Sequence, residues 1–171
     1  MKRIITGMGL NTPQEYNRIF NVRKEKGVDS QDLRRWKLLL KHFKGGRLLD
    51  MGCLDSLVPL LAHQKYPKAK IWGIDTAREA MKQMQKKYPF ADFHVRDVYK
   101  TKYWSEGFDY IVMGELIEHL DDPAKAIAEA FRLLKPGGIL ALSTPKDEDL
   151  ELGAVDGHRH LWSFSVDSVT K

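Results

Sequence analysis

The stretch LLDMGCLDS, residues 48–56, decides the fold. An apolar run leads to Asp50 and Gly52, and small residues then open a helical pattern. This order predicts a buried strand that delivers its backbone to a nucleotide-like ligand at a helix N-terminus. Gly52 suits such a turn, because a residue without Cβ permits unusual dihedral angles and close approach of the main chain to a ligand.

Four further apolar runs are typical of strands, and each has polar residues at its end. They span residues 70–77, 93–99, 108–120 and 138–145. Helical patterns separate them, which predicts an α/β fold with a mostly parallel sheet and helices on both faces. Because ligands of such sheets bind beyond the carboxyl ends of the strands, we expect the polar strand ends to meet at one site.

Asp75 ends the second of these runs and lies 23 residues after Gly52. A carboxylate near this spacing typically accepts hydrogen bonds from ribose hydroxyls. A structural role is the alternative for Asp75 and for Asp50, because strand-end carboxylates also cap neighbouring helices.

Together these segments resemble the class I methyltransferases that use S-adenosylmethionine, and especially the small-molecule O-methyltransferases among them. The resemblance covers about residues 44–165 and rests on DMGC at 50–53, Asp75, RDV at 96–98, FDYIVMGELIEHLDDP at 108–123 and LLKPGGIL at 133–140. It implies a Rossmann-like sandwich with S-adenosylmethionine as cofactor. The activity it implies is methyl transfer to an acceptor, for which we expect a hydroxyl of a small molecule.

The resemblance also implies where the cofactor lies. Gly52 would approach the methionyl portion, Asp75 the ribose hydroxyls, and Asp97 with Val98 the adenine. The full cofactor-binding set is Asp50, Gly52, Cys53, Asp75, Thr76, Asp97, Val98 and Glu115. Leu54 and Ser56 stand where the family usually has glycine. Leu54 is therefore expected either to narrow the methionine pocket or to turn its side chain into the core.

His119 and Glu115 are the candidate catalytic residues. The resemblance places Glu115 beside the sulfonium and the substrate. Methyl transfer from a sulfonium depends mainly on alignment, but an oxygen nucleophile also loses a proton. A histidine titrates near neutral pH and suits that step, which makes His119 the leading proton acceptor. The structural alternative is a histidine bonded to backbone.

A metal site is an alternative interpretation of the same segment. Glu115 precedes Glu118 and His119 by three and four residues, so these side chains can share a helical face. With His158 or His160 they would supply oxygen and nitrogen ligands for a divalent cation. This arrangement resembles metal-dependent RNA 3′-terminal 2′-O-methyltransferases. The ELIEHL pattern also occurs in methyltransferases without such a metal, so we favour a site with S-adenosylmethionine alone.

Length and composition predict one compact domain, with residues 1–43 as a helical cap on the substrate side and residues 44–171 as the cofactor-binding core. The lone Cys53 excludes an intramolecular disulfide framework. Apolar runs stay shorter than the roughly 18 residues of a membrane span, and the N-terminus lacks a secretory pattern. We therefore expect a cytoplasmic protein without membrane contact.

Positive charge is concentrated at the N-terminal end. Residues 1–47 carry 12 Lys or Arg against 4 acids, whereas the whole chain has a net charge of +5. A helix predicted near residues 31–43 would place Arg34, Arg35, Lys37 and Lys41 mostly outside. Such a face could attract phosphates or RNA, but a merely solvated helix is the favoured interpretation. No nucleic-acid module is recognisable, so a small-molecule substrate is favoured over nucleic acid.

The C-terminal end is shorter than the resemblance implies. Family members usually continue after the fifth strand through another helix and two strands, whereas this chain stops at Lys171. We therefore expect the C-terminal strands to be missing and the fifth strand to form an exposed sheet edge, open to a second copy or a partner chain. The altered loop and the short end leave a third hypothesis, a catalytically inactive module that binds cofactor or partner.

Overall fold

The computed structural model of the protein describes residues 2–3, 11–26, 30–145 and 160–164. In the description below, helices and strands are numbered in chain order. The strands are β1 (Lys2–Arg3), β2 (Arg47–Met51), β3 (Lys70–Asp75), β4 (Asp92–Val95), β5 (Phe108–Gly114), β6 (Leu134–Ser143) and β7 (Trp162–Ser163). The helices are α1 (Pro13–Lys26), α2 (Ser30–Leu39), α3 (Val58–Lys65), α4 (Arg78–Lys87) and α5 (Pro123–Leu133), with a 3-10 turn at Ile117–His119.

A five-stranded sheet in the order β4-β3-β2-β5-β6 forms the centre of the fold. All four of its strand pairings are parallel. The five predicted strands are therefore confirmed, together with the α/β class and the Rossmann-like architecture. The backbone of β1 pairs separately with β7 in an antiparallel register.

Both faces of the sheet are covered, as expected for parallel strands. In β2, Leu48 belongs to a buried cluster with residues of α2, α3 and α4, whereas Leu49 and Met51 belong to a second cluster with residues of α5. Successive side chains of a strand point to opposite faces, and this alternation divides β2 between the two cores.

The N-terminal helices pack on the α4 side of the sheet. Asn17 Oδ1 accepts a hydrogen bond from the backbone N–H of Glu79 over 2.9 Å, which ties α1 to the start of α4. Trp36 of α2 is buried in the same core. A cap formed by residues 1–43 on the substrate side stays a prediction.

Strand β6 lies at one edge of the sheet, where it pairs with β5 and with no other strand of the described ranges. Ile139 in β6 is 39% exposed. The expected exposed edge is thus present among these residues, while its pairing with a second copy or a partner stays a prediction. The segment expected to begin the next helix, residues 165–171, lies outside the described residues.

Within the described ranges, the helices are too short and too polar for any of them to cross a membrane.

Candidate active site

A cavity of about 610 Å³ opens at the carboxyl ends of β2, β3 and β5. Of the predicted cofactor-binding residues, it is lined by Gly52, Cys53, Asp75, Thr76, Asp97 and Val98. The candidate catalytic residues Glu115 and His119 line it as well, together with Glu118. The parallel register explains this convergence, because it brings the ends of neighbouring strands to one edge of the sheet.

The turn after β2 forms the floor of the cavity. Gly52 has a φ of +71°, and the N–H groups of Gly52 and Cys53 donate to the carbonyl of Ile74 over 2.8 and 3.0 Å. A Cβ on Gly52 would lie 2.6 Å from Cδ1 of Leu116. Burial raises the pKa of the Cys53 thiol well above its usual range, which favours a packing role over a nucleophilic one.

Asp75 holds this turn from the tip of β3. Its Oδ2 accepts from the N–H of Leu54 over 3.0 Å, and its Oδ1 accepts from the N–H of Ala77 over 2.8 Å. Burial raises the pKa of Asp75, and the hydrogen bonds from Ala77 and Leu54 oppose that shift. Leu54 lines the cavity, and its partly buried side chain packs against the core, while narrowing of a methionine pocket stays a prediction.

Asp50 does not line the cavity and lies beneath the turn instead. It is 2% exposed, and its Oδ2 accepts a hydrogen bond from Ser56 Oγ over 2.5 Å. Ser56 Oγ in turn accepts from the N–H of Val58 at the start of α3, over 3.2 Å. Burial raises the pKa of Asp50 to about 7, with a contribution from the charge of Asp75. These contacts give Asp50 a structural function in holding the turn.

The far end of the cavity lies beyond β4. Asp97 is exposed, and its Oδ1 accepts from the N–H of Tyr99 over 2.8 Å. Val98 is buried beside it. The Tyr99 hydroxyl accepts from the N–H of Asp122, the capping residue of α5, over 3.0 Å. An Asx turn and a helix cap therefore fix the shape of this end.

Glu115 lies at the tip of β5, with a φ of +52°. Its N–H donates to the carbonyl of Ser143 over 3.0 Å, and its Oε1 accepts from Ser143 Oγ over 2.8 Å. Arg35 Nη1 lies 3.8 Å from Glu115 Oε2. The carboxylate is thus held between β6 and α2 at the edge of the cavity.

Glu118, His119 and His160 form a compact group at the other side of the cavity mouth. Their potential ligand atoms all lie within 4.8 Å of one another. Glu118 is 1% exposed, and its Oε2 accepts from Thr144 Oγ1 over 3.1 Å. His119 Nε2 lies 3.8 Å from Glu118 Oε1. Glu115 is not part of this group, and His158 lies outside the described residues.

Arginines from α1 and α2 complete the wall, and the sequence pattern did not identify them. Arg23 and Arg35 both line the cavity. Arg35 was expected to lie mostly outside, but its side chain is only 28% exposed. Arg35 is next to Trp36, which is buried, and both residues line the cavity. Because α2 borders the cavity as well as the core, the side of the helix that carries Arg35 is partly covered.

Comparison with known proteins identifies the family. A sequence profile described as a methyltransferase domain matches residues 29–170. The ubiquinone/menaquinone biosynthesis C-methyltransferase UbiE of Desulfotalea psychrophila is 29% identical over 110 residues, which cover 61% of this chain and 45% of UbiE. The chain spans less than half the length of UbiE and of the other curated relatives compared with it.

Solved structures share the fold. The YcgJ protein of Bacillus subtilis superposes with a TM-score of 0.66 at 21% identity, over 81% of this chain and 65% of YcgJ. The [4+2]-cyclase SpnF superposes with a TM-score of 0.59 at 27% identity, over 65% of this chain and 44% of SpnF. Because the profile covers most of the residues and the parallel sheet agrees with it, the chain belongs to the class I S-adenosylmethionine-dependent methyltransferase family.

Proposed function

We propose that the chain binds S-adenosylmethionine in the cavity at the strand ends and transfers its methyl group to a hydroxyl of a small molecule. The supporting observation is the convergence of Gly52, Asp75 and Glu115 from three strands on one cavity of about 610 Å³. That volume lies within the range of roughly 300–1,000 Å³ that is usual for small-molecule sites.

The residues present fit the cofactor. Gly52 has no side chain between its backbone and the cavity, which permits close approach of the methionyl portion. Asp75 uses one acceptor position on each oxygen for Leu54 and Ala77. A carboxylate offers about four such positions, so Asp75 can also accept from ribose hydroxyls. The adenine would lie toward Asp97 and Val98, with Thr76 and Cys53 along its path.

Bound S-adenosylmethionine supplies a methyl group activated by a positively charged sulfur. The protein then has to align the acceptor and complement the charge. Glu115 suits the second task, because Ser143 fixes its carboxylate at the cavity edge. In this arrangement its negative charge would face the sulfonium.

His119 is the proposed proton acceptor for the hydroxyl. It lines the cavity, and the Glu118 carboxylate lies 3.8 Å from its Nε2. A nearby carboxylate stabilises the protonated imidazole, which favours removal of a proton from the acceptor. The ring of His160 lies 4.8 Å from that of His119, centroid to centroid, and borders the same space.

Calorimetric titration with S-adenosylmethionine and S-adenosylhomocysteine tests cofactor binding, with NAD as the control ligand. We expect micromolar dissociation constants for the first two ligands and no heat of binding for NAD. A folded protein that binds neither sulfur compound would contradict the proposal.

Methyl transfer needs a separate test, because a fold does not determine its reaction. SpnF shares this fold and is a [4+2]-cyclase. We expect the wild-type protein to transfer radiolabelled methyl groups from the cofactor to a component of a metabolite extract. His119→Asn should transfer less of the label. Tight cofactor binding without any transfer across broad extracts would favour a catalytically inactive binding module.

Metal-assisted methyl transfer, with an RNA 2′-hydroxyl as the acceptor, is the second candidate function. The observation that favours a metal is the convergence of Glu118, His119 and His160 within 4.8 Å. One carboxylate and two imidazoles suit several divalent transition metals. Cobalt(II) titration, followed by visible absorbance, should give a spectrum that His160→Ala abolishes and the exposed control His42→Ala retains. Full transferase activity in a chelator would contradict this candidate.

A further inference from the structure

Basic side chains gather at the amino ends of β2 and β3, at the opposite end of the strands from the cavity. The segments that lead into these two strands, residues 40–47 and 65–70, carry six basic residues and no acid. We call these six residues the basic edge: Lys41, Lys44, Arg47, Lys65, Lys68 and Lys70. Because β2 begins at Arg47, the basic edge lies about 16 Å from Gly52 along the strand.

The two segments touch, so their charges form one surface. Arg47 and Lys70 are partners in the β2–β3 ladder, and the carbonyl of Gly46 accepts from the N–H of Lys70 over 2.9 Å. A Cβ on Gly45 would lie 3.5 Å from Cδ1 of Tyr66 in the other segment. The five lysines of the basic edge are exposed, and none of them forms an ion pair within the described ranges. Such a surface attracts ligands with several negative charges.

The fold does not need this charge for its own helices or ion pairs. Lysine is favoured in the last turn of a helix, where it complements the dipole, but Lys65 is the only residue of the basic edge that belongs to a helix in the described chain. Asp109 Oδ2 accepts from the N–H of Arg47 over 2.8 Å, and its other oxygen already lies 2.6 Å from Lys135 Nζ. The charge of Asp109 is therefore matched by Lys135, and the basic edge keeps its own.

An exposed aromatic ring borders the basic edge. Trp104 is 50% exposed, and the guanidinium carbon of Arg47 lies 5.1 Å from its ring centroid. A Cβ on Gly107 would meet Trp104 Nε1 at 2.4 Å, so the ring packs closely against this backbone. Lys102 and Glu106, on either side, have φ values of +59° and +52°, which side chains disfavour. Strain of this kind is typical of functional sites, and here it holds an exposed ring in place.

The combination of charge and ring selects the kind of ligand. A phosphate backbone matches a row of lysines, and the bases of a single strand are free to stack on an aromatic side chain. An anionic membrane matches the lysines as well. However, the Trp104 ring packs onto the protein, which suits stacking of a base better than insertion into a lipid layer.

We propose that the basic edge and Trp104 bind a single-stranded nucleic acid, with phosphates at the lysines and a base on the Trp104 ring. This binding is separate from the proposed function, because the surface lies at the other end of the strands from the cavity.

Fluorescence anisotropy tests the proposal with a labelled oligouridine of about 12 nucleotides, in the absence of cofactor. The logarithm of the association constant should fall against the logarithm of the NaCl concentration with a slope of about −4, as for six neutralised phosphates. Oligothymidine of the same length should bind too, since it also presents phosphates and free bases. An RNA duplex of this length should bind more weakly, because its bases are already stacked.

The first variant combines Lys44→Gln with Lys68→Gln and so removes one charge from each segment. Its control combines Lys82→Gln with Lys125→Gln, which removes two exposed charges from α4 and α5. The first variant should lose affinity about 10-fold or more at low salt, with a slope that is shallower by about 1.4. The control should keep both wild-type values.

The second variant is Trp104→Leu, which removes the aromatic ring and keeps an apolar side chain. It should weaken oligouridine binding by about 5- to 100-fold, as for loss of one stacked base. Trp104→Phe should keep part of the affinity, because a smaller ring can still stack. Circular dichroism and a thermal melt establish that each variant is folded.

The proposal is overturned if wild type does not bind oligouridine at low salt. It is also overturned if the control loses as much affinity as the first variant, since net charge would then explain the binding. Wild-type affinity in folded Trp104→Leu, or equal affinity for the duplex, would exclude a stacked base. Vesicles of phosphatidylcholine and phosphatidylserine that displace the oligonucleotide from Trp104 and the basic edge, and bind more tightly, would assign this surface to a membrane instead.

Discussion

The backbone N–H of Leu54 donates a hydrogen bond to Oδ2 of Asp75 over 3.0 Å, and this bond joins the turn after β2 to the tip of β3. Leu54 has a φ of +35°, in the left-handed region that side chains disfavour. The other carboxylate oxygen of Asp75 accepts from the N–H of Ala77 over 2.8 Å. A single carboxylate therefore fixes two chain segments beneath the proposed cofactor.

Leu54→Gly is expected to be more stable than Leu54→Ala. Both changes remove the packing of the Leu54 side chain against the core, but only glycine relieves the positive φ. The difference should be about 1 kcal/mol in the free energy of unfolding, measured by chemical denaturation.

Leu57 provides the control for this comparison. Its side chain also packs against the core while partly exposed, but its φ is −90°. At this position alanine should be at least as stable as glycine. If alanine is at least as stable as glycine at position 54 too, the Leu54 backbone carries no strain.

Asp75→Ala is expected to lower both cofactor affinity and stability. Loss of a charged hydrogen-bond acceptor should weaken S-adenosylmethionine binding by about 1.5 to 3 kcal/mol in calorimetry. Stability should fall as well, because the N–H groups of Leu54 and Ala77 lose their acceptor. Asp92→Ala removes an exposed carboxylate of β4 and should leave cofactor affinity unchanged. Wild-type affinity in Asp75→Ala would argue against contact with the ribose.

The sheet and the location of the cavity were predictable from local patterns. Apolar runs with polar ends mark parallel strands, and the parallel register then brings Asp75 and Glu115 to the same edge. Asp50 shows the limit of this reasoning. Its carboxylate lies beneath the turn because Ser56 folds back over it, and a strand pattern does not encode that contact.

Arg35 and His160 were harder to place for a different reason. Helical periodicity distinguishes a buried face from a solvent-exposed face. Because α2 also borders the cavity, Arg35 lies on a surface that is neither core nor open solvent, and periodicity does not predict it. His160 reaches His119 across a separation of 41 residues. Sequence spacing left His158 and His160 as alternatives, and only the path of the chain brings His160 beside His119.

Gly52→Ala is expected to destabilise the protein and to weaken cofactor binding. The φ of +71° alone should cost about 1 to 2 kcal/mol in the free energy of unfolding. The new Cβ would also meet Cδ1 of Leu116 at 2.6 Å, although the tip of that side chain can move. Thermal unfolding and cofactor titration measure the two effects.

Gly137→Ala is the control that distinguishes the effect of backbone strain from the effect of the contact with Leu116. Gly137 has a φ of +77°, and its Cβ would meet nothing within 4 Å. This variant should lose a similar amount of stability through the backbone alone and bind S-adenosylmethionine as wild type does. Unchanged cofactor affinity in Gly52→Ala would place the methionyl portion away from this turn.

Asp50→Asn is expected to flatten the dependence of stability on pH. The pKa of Asp50 is about 7 in the folded protein, against 3.8 for an ordinary aspartate, so between these values the folded state binds more protons than the unfolded state. The free energy of unfolding must then fall as pH rises through this range, by about 4 kcal/mol for this group, and level off above it. Asparagine is uncharged and can still accept a hydrogen bond from Ser56, so the variant should be more stable than wild type above neutral pH.

Ser56→Ala removes the hydrogen bond that lowers the pKa of Asp50. In this variant the fall in the free energy of unfolding should therefore extend to higher pH. Denaturant titrations across the pH range measure all three proteins. Equal slopes for wild type and Asp50→Asn would mean that Asp50 is ionised beneath the turn and that another group, such as Asp75, carries the dependence.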